Sequence, residues 1–193
     1  AQYTADLGKN TALTLGATYK VGSKLKGEQN LSTIATSGTV DTIASTPTTI
    51  KYRIPCEVGA GFTLRKNDRW MVGADYVWQN WSGSTFDPTP GIDFSTCQTH
   101  SVKIGGELTP SKYDIRYYMR RVTYRAGAYY NQGYMAIGGT RIDSRGVTLG
   151  ASFPVFTAGT SLALAIDLGQ MGTLSNNMIR ERYVKFTMGL NIS

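Results

Sequence analysis

Apolar and polar side chains alternate with a period of two in segment after segment of this chain. Successive residues of a strand point to opposite faces, so the pattern dictates β-structure and excludes helices. Eight segments carry it: 13–21, 54–64, 70–78, 102–108, 122–130, 147–155, 162–168 and 184–192. On one face every second residue is apolar except Gly106. The interleaved face is rich in glycine, threonine and charge, and its apolar members are Met71, Val77, Tyr129, Ala163 and Ala165. The connectors alternate as well. Those at 7–10, 65–69 and 157–160 are short, whereas 23–50, 82–99, 131–145 and 171–181 are long and polar. The stretch 109–121 is an exceptionally long member of the short set.

Tight turns at one end and variable loops at the other predict an all-β fold, an antiparallel up-and-down transmembrane β-barrel with the turns on the periplasmic side. A soluble sandwich or lipocalin-like barrel, its apolar face turned inward, also fits bare alternation. Three features favour lipid outside. The apolar runs have the length of a tilted strand crossing a bilayer. Aromatic residues gather at strand ends, with Tyr52, Trp78, Trp81 and Tyr130 toward the loops and Phe62, Trp70, Tyr124 and Phe156 toward the turns. The last alternating run reaches Ile192, as the terminal strand of an outer-membrane barrel does. In 193 residues no apolar run is long enough for a spanning helix, and the excess charge of +7 is scattered rather than gathered into a nucleic-acid-binding arm.

The segments 11–20, 69–78 with Trp81-Ser82, 123–130, 146–150 and 182–190 resemble, in order and spacing, the later strands of the long-chain fatty-acid transport protein family of Gram-negative outer membranes (the FadL/TodX type). The resemblance implies a fourteen-stranded barrel that takes up hydrophobic molecules through a luminal site and a lateral opening. The chain departs from that pattern in having no N-terminal hatch segment and too few strands. With a leading strand at 2–7 the segments number nine, an odd count. Residues 1–193 are therefore expected to be either a complete eight-stranded barrel with 1–10 as an extension, or the C-terminal portion of a larger barrel whose first five strands lie upstream. The second is favoured.

With lipid outside, the interleaved face lines the lumen and carries Lys20, Lys103, Arg125 and Lys185 against Glu57, Asp75, Glu107 and Asp167. These charges balance. Charge inside a narrow barrel is costly unless paired, which predicts a cross-strand network, with a polar permeation path as the alternative. A ligand pocket for apolar compounds is expected among Met71, Val77, Tyr129, Ala163 and Ala165. Lys24, Lys26, Lys51, Arg53, Arg141, Arg145, Arg180 and Arg182 lie toward the loops, either as ordinary solvated charge or facing lipopolysaccharide phosphates.

Cys56, Cys97 and His100 have no metal-ligand spacing, and no metal or cofactor is expected. Cys56 is expected toward lipid and Cys97 near a loop, so a disulfide between them is not expected. His100 and Ser101 are adjacent, so in a strand they point to opposite faces and cannot act as base and nucleophile. The chain is read as a non-enzyme of the Gram-negative outer membrane that takes up hydrophobic small molecules such as long-chain fatty acids by passive diffusion. The alternative is a non-transporting structural or docking barrel subunit of an outer-membrane complex. The expected partners are outer-membrane lipid and lipopolysaccharide, with a hydrophobic ligand under the first reading, protein partners under the second, and no nucleic acid under either.

Overall fold

The computed structural model describes residues 1–29, 33–37, 39–43, 48–82, 84, 93–155 and 160–191, with side chains described outside 28–52. Phe156, Ile192 and the side chains of Lys51 and Tyr52 lie outside the described residues. Nine strands build the principal sheet: β1 (Gln2–Asp6), β2 (Thr11–Lys20), β3 (Glu57–Lys66), β4 (Trp70–Asn80), β5 (Gln98–Leu108), β6 (Thr123–Asn131), β7 (Ser144–Pro154), β8 (Ser161–Gly172) and β9 (Arg180–Asn191). They follow one another in sequence order, each antiparallel to the next. The fold is all-β and antiparallel. β1 and β9 are its edges, and the ladder that would close a barrel between them is not among the described pairings.

The alternation survives in three dimensions. Leu15, Phe62, Ala74, Ile104 and Ala126 lie on one face, and Gly16, Gly61, Asp75, Lys103 and Tyr129 on the other. Nothing in the described chain covers the apolar face: Ile104, Leu149 and Phe186 are 56%, 53% and 75% exposed. Only Val122 and Ala136 are buried hydrophobic residues among those described, and both lie outside the strands of the principal sheet. The accessible surface is 14079 Å². A compact globular protein of this mass exposes about 9,000 Å². Each large apolar side chain left in water forgoes roughly 1.5–3 kcal/mol, so the sheet lacks the internal packing that holds a soluble sandwich together.

Two expectations about strand limits are corrected. The run 54–64 is broken, because the peptide leaves a loop hairpin (Ser23–Gln29 with Thr48–Ile54) at Ile54 and enters β3 only at Glu57. Pro55, between them, has no N–H to give to a ladder. Phe62 is not a turn-end aromatic, since it faces Leu15 and Ala74 at mid-strand. Trp70 and Tyr124 do flank the turn end, on either side of Leu108.

Candidate functional site

On the polar face the register brings every predicted luminal charge opposite its complement. Lys20 faces Glu57, Asp75 faces Lys103, Glu107 faces Arg125 and Asp167 faces Lys185. Direct cross-strand neighbours are close enough for such charges to favour one register over its slips. Among the described residues only one of the four closes as a direct ion pair, with Arg125 Nε 2.8 Å from Glu107 Oε2. Glu57 accepts instead from Gln79 Nε2 at 2.5 Å, and Gln79 Oε1 accepts from Trp81 Nε1 at 2.8 Å. Asp167 accepts from the Tyr129 hydroxyl at 3.1 Å.

Tyr129 belongs to a cluster that alternation alone did not single out. One row of the polar face reads Tyr129, Gly146, Gly169, Tyr183 across β6 to β9. The two tyrosines lean toward each other over the glycines, and their hydroxyls are 2.5 Å apart. A Cβ at Gly169 would collide with the Tyr183 ring, and one at Gly146 with the Tyr129 ring. Tyr183 immediately precedes the run 184–192; its odd parity, shared with Lys185, was the available signal.

The five apolar residues of the polar face do not converge. Met71 and Val77 are six positions apart on β4, about 20 Å along a strand. Met71 lines a turn-end cleft of about 630 Å³ with Arg65, Glu107, Arg121 and Arg125. Val77 lines a separate groove with Gly59, Asp75 and Lys103. Tyr129 is held in the tyrosine cluster, and Ala163 and Ala165 face Gly189 and Thr187 on β9.

The loop end carries a second layer. Phe94–Thr96, Met135–Ile137 and Thr140–Arg141 form a small antiparallel sheet from two different loops. Trp81 stacks on Tyr134 at 4.7 Å, Ser84 Oγ donates to the Arg53 carbonyl, and Asn176 Nδ2 donates to the Gly138 carbonyl. Three-residue strands have too few positions for any periodicity, which hid this layer from the sequence.

At the turn end the segment 109–122 is folded rather than loose. Ser111 N donates to the Arg120 carbonyl at 2.8 Å, and the Thr109 and Thr123 hydroxyls meet at 2.8 Å. Asp114 Oδ1 accepts from the amides of Arg116 and Tyr117 at 2.8 and 2.9 Å, while Oδ2 is 3.3 Å from Arg120 Nη1. The Tyr117 amide above all, with the Arg116 amide and the Arg120 guanidinium, holds the Asp114 carboxyl below its ordinary value of 3.8, against a smaller opposing effect of burial. Arg120 lies 4.8 Å from the Tyr117 ring centroid, and the Tyr118 hydroxyl donates to the Pro154 carbonyl. Val122, wholly buried, anchors the segment, while Tyr113 and Ile115 stand 81% and 100% exposed.

His100 and Ser101 occupy opposite faces: His100 Nδ1 meets the Tyr76 hydroxyl at 2.7 Å, and Ser101 Oγ donates to Asn131. Cys56 and Cys97 are free thiols. No cluster among the described residues has a metal-binding donor set.

A search of the curated proteins finds no match to the chain. The family profile that does match is that of BamG, over residues 1–193. This overturns the resemblance to the fatty-acid transport family and the inference of fatty-acid uptake drawn from it. Alternating strands with aromatic ends and small residues on the polar face are common to outer-membrane barrels in general, so they do not separate one such family from another. The chain belongs to the BamG family.

Proposed function

We propose that this chain forms the wall of a transmembrane β-barrel in the Gram-negative outer membrane and serves there as a non-enzymatic, non-transporting subunit that docks other proteins of an outer-membrane complex. The observation that carries the reading is the uncovered apolar face of the sheet, backed by a polar face on which charges of opposite sign stand in register. Such a sheet is at rest with hydrocarbon on one side and a polar interior on the other. Membership of the BamG family supports association with an outer-membrane complex. The facing charges of opposite sign and the joined tyrosines favour a closed interior over a channel, and no cofactor is invoked. In this orientation the turns face the periplasm, and Lys24, Arg53, Arg141, Arg145, Arg180 and Arg182 lie toward the loop end, within reach of lipopolysaccharide phosphates.

The test is native electrophoresis of the tagged chain extracted in mild detergent from its own outer membranes. The expected result is a defined species containing further proteins in fixed proportion. Migration of the chain alone, or its recovery outside the membrane fraction, would overturn the reading.

A further inference from the structure

We infer that the turn-end segment 109–122 is the docking element of this subunit, and that its occupant is an acidic segment of a partner protein bearing apolar side chains. The inference deepens the docking role proposed above and rests on it.

Three observations carry it. The segment holds Lys112, Arg116, Arg120 and Arg121 against Asp114 alone, a net charge of +3 over fourteen residues. Between the charges it raises Tyr113, Ile115, Tyr117 and Met119 into solvent, and Ile115 touches nothing that reduces its exposure. Exposed aromatic and arginine side chains on a rigid base are the composition of interface anchors, because they bury much surface with little further ordering.

The base is rigid here. Asp114 ties two amides and Arg120, the Ser111 amide closes onto Arg120, and Tyr118 is fastened to β7. Segments that only rest on headgroups need no such fixed geometry.

The third observation is the cleft behind the segment. It is lined by Met71, Glu107 and Arg125 from the polar face, together with Arg65 and Arg121. Lys112 is engaged by Asp68 and Arg125 by Glu107, while Arg65 and Arg121 have no acidic partner among the described residues. Two arginines at the mouth of a polar cleft suit carboxylates, and the cleft lies on the face away from the apolar one, where lipid does not reach. Charge complementarity calls for an acidic occupant, and the place of these arginines in a cleft of the polar face selects an acidic polypeptide over a bilayer surface.

The experiment places a photoreactive benzoylphenylalanine at Tyr113 in the full chain, in its native outer membrane, and identifies the adducts by mass spectrometry. The expected result is an adduct to a protein of the complex, mapped to a segment with net negative charge. Its yield should fall at least tenfold in Ile115→Asp and in Arg116→Glu backgrounds, and fall as salt rises. Arg116→Gln should lose less than Arg116→Glu, and unchanged thermal melting of each variant shows that the fold persists. Adducts to lipid only, to a second copy of this chain, to a segment without acidic excess, or of undiminished yield in both variants would overturn the inference, as would the absence of any adduct. Native electrophoresis separates the two failures: an intact complex with no such adduct ends this inference alone, whereas a chain migrating by itself ends the docking role as well.

Discussion

Tyr183 can reach Tyr129 only because the two positions between them lack side chains. Gly146 and Gly169 form a floor one row wide, and both rings lie where a Cβ would be. Gly169→Ala should push the Tyr183 ring aside and break the hydroxyl contact, costing about 1–3 kcal/mol, as overpacking does. Urea unfolding in detergent or liposomes measures it, and a variant as stable as the parent would show that the ring moves freely. The contact can also be weighed directly. Tyr129→Phe and Tyr183→Phe each remove one hydroxyl, and their double-mutant cycle should return a coupling of about 0.5–1.5 kcal/mol. Additivity of the two single changes would mean that the hydroxyls do not depend on each other.

The turn-end segment shows how one carboxylate orders an element. The lowered pKa of Asp114 means that the folded segment favours the ionised form. Its stabilising effect is complete above the ordinary carboxylate value of 3.8, and is lost as pH falls below it through the lowered value. The amide resonance of Tyr117 should therefore stay constant from neutral pH down to that range and shift only below it. In Asp114→Ala the shift should vanish, and trypsin should cut after Arg116 several-fold faster at neutral pH. Undiminished resistance to trypsin would relieve Asp114 of the role. At this scale the sequence discloses strands more readily than the pieces between them. Period two marks the faces of all the long strands, and parity alone sets Lys20, Glu57, Asp75 and the other charges of the polar face on one side. Parity carries no register, so the four facing pairs appear only when the strands are laid side by side. Pro55 hides from an alternation count because the residues on either side of it keep the phase. The loop-end sheet hides because its strands are short and its partners come from different loops. Met71, Val77, Tyr129, Ala163 and Ala165 share a face, yet among them only Ala163 and Ala165 are near neighbours on one strand, since a face extends along the whole strand and across every strand of the sheet.

For the whole molecule the governing question is what lies against the apolar face. Ile166, facing Leu149 and Phe186 at the middle of β8, should meet hydrocarbon, so Ile166→Arg should cost about 2–4 kcal/mol in folding into liposomes. Ala165→Arg, one residue away on the polar face, should cost far less; equal losses would remove the distinction between the faces. The edges impose a stronger demand. Among the described pairings β9 presents one row of backbone groups to β8 and has no partner for the other row, and β1, paired to β2, stands likewise at the far side. In hydrocarbon each unsatisfied group costs several kcal/mol, and the sum over a strand of twelve residues exceeds the ~5–15 kcal/mol that holds an ordinary domain together. An open edge is therefore incompatible with the bilayer, and β1 and β9 must each be paired there, with each other or with further strands. Hydrogen exchange in the native membrane tests this without presupposing the partner. The β9 amides that point away from β8 should exchange as slowly as those of β5 at the centre of the sheet. Rapid exchange along that edge would place β9 in water and take the sheet out of the membrane.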